Sequence, residues 1–232
     1  MFGYFYLNPT YLLFALPALI LGLYAQAAVS SAYRKYSRVP NSAGMTGAQA
    51  AKRLLDVAGL SGISVEAIPG NLTDNYDPRG KVLHLSQGSI VSPSIAAVAV
   101  VAHEVGHATQ DAVAYAPLRL RSAIVPVVQL GSWLGPILFI IGYLASNPLL
   151  AEVGVIAFGA MVVFALITLP VELDASHRGL AMLYSAGILD SSELPAARKV
   201  LNAAALTYVA ALVQALSTLL YYMSLLSGSR RR

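Results

Sequence analysis

The sequence predicts a mainly α-helical integral membrane protein that carries a small β-sheet. Three observations carry this expectation. Hydrophobic residues make up 57% of the 232 and charged residues 11%, with a mean hydropathy of +0.65, which is more apolar surface than one soluble core of this length can hide. The apolar residues fall in stretches long enough to cross a hydrocarbon layer of about 30 Å at 1.5 Å per residue. What remains, roughly 120 residues, suits one compact water-facing unit with two short strand patterns.

Tyr11 to Val29 is the first apolar stretch. Ala25-Gln26-Ala27 resembles a signal-peptidase site, but no Lys or Arg precedes the stretch, whereas Arg34, Lys35 and Arg38 follow it. A retained transmembrane anchor over 1–31 is therefore expected. Thr46, with Gln49 three residues on, is a capped start for an amphipathic helix to about Ala58, closed by Gly59. Ile63 to Ile68 reads as a strand, Pro69 to Gly80 as turns, and Lys81 to Leu85 as a second strand. Ser92 and Pro93 open a helix from Ser94 to about Tyr115. Its first half is apolar all round, but its second half holds His103, Glu104, His107, Gln110 and Asp111. It reads as the buried central helix of a domain over 32–118 rather than as a span.

Ile124 to Ala145 and Leu149 to Leu169, parted by Ser146-Asn147-Pro148, form a transmembrane hairpin within 119–169. A polar helix opened by Pro170 and running to about Ala186, then another from Ser192, occupy 170–202. Ala203 to Leu226 is long enough for a fourth span, so 203–232 is a transmembrane or interfacial helix with a basic tail, Tyr221 and Tyr222 sitting at its interface end.

Basic residues set orientation. Twelve of the 15 lie between Arg34 and Arg121 or between Arg178 and Lys199, in the two water-facing loops that share a side if there are four spans. The positive-inside rule places that side in the cytoplasm. Arg230, Arg231 and Arg232 then fall outside unless the last helix lies in the interface. The net charge of +4 does not indicate nucleic acid, because no basic run is interleaved with stacking aromatics.

With Cys absent, a metal must be held by His and carboxylates. His103-Glu104-Val105-Gly106-His107 is an HExxH pentad, which sets two imidazoles one turn apart on one helix face, as two ligands of a tetrahedral Zn²⁺ require. Gly106 in mid-helix costs about 1 kcal/mol and marks close approach of another segment. A catalytic zinc needs a third protein ligand and an open position. His84 and His177 are the remaining histidines. Glu172, 65 residues after His107 and just past the hairpin, is the choice that spacing favours; its bland alternative is a carboxylate in the first turn of a helix. Glu104 is the expected general base, taking a proton from water activated by one zinc ion. Candidate donors to a developing oxyanion are His177, Arg178, Asn75 and Tyr76. Asp174 either orients a ligand histidine or pairs with Arg178 at i+4. Lys81, Val82, Leu83, His84 and Leu85 form the candidate edge strand for an extended substrate.

Leu72-Thr73-Asp74-Asn75-Tyr76-Asp77-Pro78, Val82-Leu83-His84-Leu85-Ser86, Ser94-Ile95-Ala96-Ala97-Val98-Ala99 running into the pentad and Ala108, and Pro170-Val171-Glu172-Leu173-Asp174-Ala175-Ser176 together resemble the YugP-like bacterial membrane zinc metallopeptidases along nearly the whole chain. The resemblance implies a zincin-type catalytic domain with Glu172 as third ligand, akin to the HtpX-like and CAAX-prenyl membrane proteases. The chain departs from that pattern at Asn75, where His is usual, and at Ser176, where the wider relatives carry Asp.

The expected protein is a metalloendopeptidase of the bacterial cytoplasmic (inner) membrane. Its partners are the lipid bilayer and polypeptide segments near the cytoplasmic face, with a homo-oligomer or membrane partner left open. A membrane scaffold holding a structural zinc is the alternative, although it has no use for Glu104. A transporter fits poorly, because the spans carry almost no ionisable residue apart from Glu152.

Overall fold

The computed structural model describes residues 9–229. These form helices α1 (Pro9–Tyr36), α2 (Gly47–Val57), α3 (Gln87–Val91), α4 (Ile95–Ala112), α5 (Ala116–Leu144), α6 (Pro148–Ser185) and α7 (Leu194–Ser229), and strands β1 (Ser64–Ile68), β2 (Asn75–Asp77) and β3 (Val82–Ser86). The chain divides into two compact units, one of Met1–Gln26, Leu120–Leu169 and Thr207–Arg232, the other of Ala27–Arg119 and Pro170–Leu206. Arg230, Arg231 and Arg232, on which the orientation conflict rested, lie outside the described residues.

The first unit is built from the apolar parts of α1, α5, α6 and α7. All four helices are long and apolar enough to cross a membrane. Large apolar side chains point outward, with Leu13 72%, Trp133 67% and Ile156 75% exposed. A surface of that kind is stable in lipid and costly in water. Asn147 caps α6 by accepting from the Leu150 backbone N–H at 3.1 Å, and Pro148 takes the first helical position. Tyr221 and Tyr222, expected at an interface end, pack inward instead: Tyr221 is 4% exposed and edge-on to Tyr11 at 5.2 Å, and Tyr222 stacks on Phe139 at 4.1 Å. Their rings fill space between helices.

The second unit has its core between the sheet, α2, α4 and the ends of α6 and α7. Leu83 and Leu85 alternate inward from β3 and are fully buried with Leu54, Val98, Val101, Leu183 and Ile188. The capping box of Thr46 and Gln49 starts α2 as its sequence requires. Ser94, not Ser92, caps α4 by accepting from the Ala97 backbone N–H at 3.2 Å, two residues later than expected.

The sheet order is β1-β3-β2, β1 running parallel and β2 antiparallel to β3. This corrects the expected edge strand: Lys81 precedes β3, and Val82, Leu83, His84 and Leu85 lie in the central strand, flanked on both sides. The third strand lies inside the expected turn region. Asp77 accepts from the backbone N–H groups of Arg79 and Gly80, at 2.9 and 3.1 Å, and so closes a tight turn that folds Asn75–Asp77 back onto β3. Pro170 does not open a helix either. It lies inside α6, so the apolar stretch and the polar stretch after it are one continuous helix.

Candidate metal centre

Two glycines bring α4 and α6 together. A Cβ on Gly106 would strike the backbone of Ala175, meeting its carbonyl carbon at 2.9 Å and Cα at 3.1 Å; a Cβ on Gly179 would meet the Ala102 carbonyl oxygen at 2.7 Å. The helices thus touch backbone to backbone along Ala102–Gly106 and Ala175–Gly179, the close approach that Gly106 announced in the sequence. Glu172, one turn before Ala175, is thereby carried to the histidines.

His103 Nε2 stands 3.2 Å and His107 Nε2 3.5 Å from the same oxygen, Glu172 Oε2. One atom from each of the three residues lies within 4.8 Å of the others. Around a tetrahedral zinc with bonds of about 2.0–2.1 Å, neighbouring ligand atoms are about 3.3 Å apart, so the donor set fits that ion in type and in spacing. Glu172 is 2% exposed. Burial would raise its pKa, but bonds to His103 and His107 hold it far below the usual carboxylate range. His107 moves upward: burial opposes its charge and the Glu172 contact outweighs it. A buried carboxylate between two half-buried imidazoles favours a positive charge among them.

Each imidazole is held from behind. His103 Nδ1 lies 3.0 Å from Ser176 Oγ, and His107 Nδ1 lies 3.0 Å from Gln110 Oε1. Glu104 is 8% exposed and makes no hydrogen bond to another described residue. Burial raises its pKa, partly offset by His103 and His107. A carboxylate kept basic by burial and left unbonded beside two metal-ligand types can accept a proton.

The other expected residues are distributed around this centre. Asp174 pairs directly with Arg178 at i+4 and, at 2.8 Å, accepts from Gln110 Nε2; it touches neither histidine, although Gln110 in turn touches His107. Arg178 is thus engaged, and its guanidinium also lies 5.6 Å from the centre of the Tyr115 ring. The Tyr76 hydroxyl donates to Asp111 Oδ2 at 2.8 Å, and Lys81 pairs with the same carboxylate, pinning the sheet to the end of α4. Asn75 donates to the Thr73 carbonyl and sets Oδ1 3.2 Å from His84 Nδ1. His84 therefore belongs to a row across the sheet with Asn75 and Glu66, apart from the His103, His107 and Glu172 cluster. His177 lines a cavity of about 510 Å³ with Ser176, Tyr184, Arg198 and Asn202. Gln110 and Asp111 were visible in the sequence only as polar residues on the metal helix, because their partners come from distant segments.

The family described as "Putative neutral zinc metallopeptidase" matches residues 11–227. A relative from Bacillus subtilis (strain 168), named "Putative membrane protease YugP", is 43% identical over 220 residues, spanning 95% of this chain and 98% of its own length. No solved structure matches the chain. Helices fit to cross a membrane, a donor set fit for zinc and likeness along almost the whole length converge: the chain belongs to the YugP-like family.

Proposed function

We propose that the protein is a membrane-bound zinc endopeptidase of zincin type, with His103, His107 and Glu172 as metal ligands and Glu104 as general base. One observation carries this reading: both imidazole Nε2 atoms of the pentad face one carboxylate oxygen of Glu172, at 3.2 and 3.5 Å. Zinc bound there supplies a Lewis acid that polarises a scissile carbonyl and lowers the pKa of water. Glu104 takes the proton from the attacking water and passes it to the leaving amine, a task suited to a carboxylate whose pKa is raised by burial. His177, in the cavity that also includes Ser176, faces the substrate.

The substrate is a polypeptide segment near the membrane. Its extended chain pairs with β2, the outer strand of the sheet on the side that Tyr76 ties to α4. The twelve basic residues between Arg34 and Lys199 favour a cytoplasmic site in a bacterial inner membrane. A structural zinc is disfavoured, because it gives no use to a buried Glu104.

The test is a pair of variants. Glu104→Gln is expected to keep near-stoichiometric zinc by metal analysis and to lose hydrolysis of a membrane-tethered polypeptide. Glu172→Ala is expected to lose most of its zinc on dialysis. Unchanged cleavage by the first variant, or full zinc in the second, refutes the assignment.

A further inference from the structure

Gln110 is fully buried on α4, one turn beyond His107. Its amide nitrogen lies 2.8 Å from the Val171 carbonyl oxygen and 2.8 Å from Asp174 Oδ2. Both are acceptors, and Asp174 is also held by Arg178. Turning the amide over would put its oxygen against two oxygens and leave both N–H groups without those acceptors. The orientation is therefore fixed by chemistry, and Oε1 must face His107 Nδ1, at 3.0 Å. An amide oxygen can only accept, so His107 carries a hydrogen on Nδ1, and Nε2, the nitrogen that faces Glu172, is the one left to ligate a metal.

His103 is not constrained in this way. Its Nδ1 faces the Ser176 hydroxyl, which both donates and accepts, so either tautomer is satisfied. The two histidines of one motif thus stand in unlike settings, one fixed in advance and one adaptable. Val171 and Asp174 flank Glu172 on α6, so the amide that sets His107 also grips the helical turn that carries the proposed third ligand.

We infer that Gln110 is a positioning residue: it selects the ligating tautomer of His107 and locks that imidazole in register with the Glu172 turn. The inference rests on the zinc reading above. Ligand histidines commonly donate their second ring N–H to an oriented acceptor, and losing such a partner weakens metal binding about 10–100-fold. What is specific here is that a neutral amide serves, held from two sides by α6.

The experiment uses full-length protein in detergent, with zinc affinity measured by chelator competition and the histidine ring N–H protons followed by ¹⁵N NMR in the zinc-loaded state. Gln110→Met, close in size but without the amide, is expected to weaken zinc about 10–100-fold. It is also expected to speed solvent exchange of the His107 Nδ1 proton while leaving that of His103 unchanged, which a general loss of packing would not do. Ser176→Ala is expected to weaken zinc less than Gln110→Met. If Gln110→Met does not fold, Asp174→Ala removes one of the two acceptors that orient the amide; it is expected to shift both readouts in the same direction by a smaller amount. Wild-type affinity and exchange in Gln110→Met, or in Asp174→Ala where that variant must stand in, overturn the assignment of Gln110 alone. A wild-type protein that binds no zinc overturns the metal reading, and this inference with it.

Discussion

Gly106→Ala tests whether the metal spacing is set by backbone contact. On an exposed helix this substitution stabilises by about 1 kcal/mol, since Ala is the better helix former. Here the added Cβ would collide with the Ala175 carbonyl, meeting its carbon at 2.9 Å and the Ala175 Cα at 3.1 Å. Relief requires α4 and α6 to part by roughly 1 Å, at an overpacking cost of about 1–3 kcal/mol. The same movement would take Glu172 Oε2 from 3.2 and 3.5 Å to beyond 4 Å from the imidazoles, past the roughly 3.3 Å edge of a tetrahedral zinc site. The variant should therefore melt at lower urea concentration without metal, and bind zinc at least tenfold more weakly in chelator competition. Gly159→Ala is the control, because its Cβ would meet nothing within 4 Å; it should be neutral or slightly stabilising. Wild-type stability and zinc affinity in Gly106→Ala would refute the reasoning.

Two further outcomes are expected. Burial opposes the charge of Asp111, but bonds from Lys81 and Tyr76 hold its pKa below the usual carboxylate value. Its stabilisation is therefore complete above pH about 4, the unfolded value, and is lost as pH falls through the lower folded value. Lys81 is 56% exposed, so solvent screens the pair and Asp111→Asn should cost only about 0.5–1 kcal/mol at pH 7. Urea melts should show that difference shrinking toward pH 3; a difference constant with pH would exclude the ion pair as its source. Single cysteines replacing the exposed Ser61 and Ser146, in a chain without Cys, report orientation. An impermeant thiol reagent on intact cells should label position 146 and spare 61, and the reverse pattern would place the metal centre outside.

The residues proposed to bind metal were legible because helical spacing alone sets His103 and His107 on one face, and Glu172 comes just past a hairpin of two long apolar stretches. Strand order was not legible. Val82 to Leu85 alternates in the same way whether it lies at an edge or in the centre, and β2 has three residues, too few to show a period. Pro170 misled for a local reason. Proline often opens a helix, but α6 continues through it, and only its setting shows that the lost backbone bond is tolerated. Gln110 could not be read as more than a polar residue on the metal helix, since both groups that orient it arrive from α6, more than 60 residues later.

The seam between α4 and α6 has a consequence for how this protein can vary. On α6, Glu172, Ala175, Ser176 and Gly179 turn toward α4, while Leu173, His177, Ala181 and Tyr184, on the neighbouring stripe, line the cavity. Apart from Ser176, which faces His103 and also borders the cavity, the helical period separates residues whose size sets the ligand spacing from residues that shape the adjoining space. Substitutions along the second stripe can remodel that cavity while the backbone contact at Gly106 keeps the three donors in place. On the function proposed above, directed evolution at Leu173, His177, Ala181 and Tyr184 is therefore expected to change which polypeptides are cleaved while zinc affinity stays at the wild-type level.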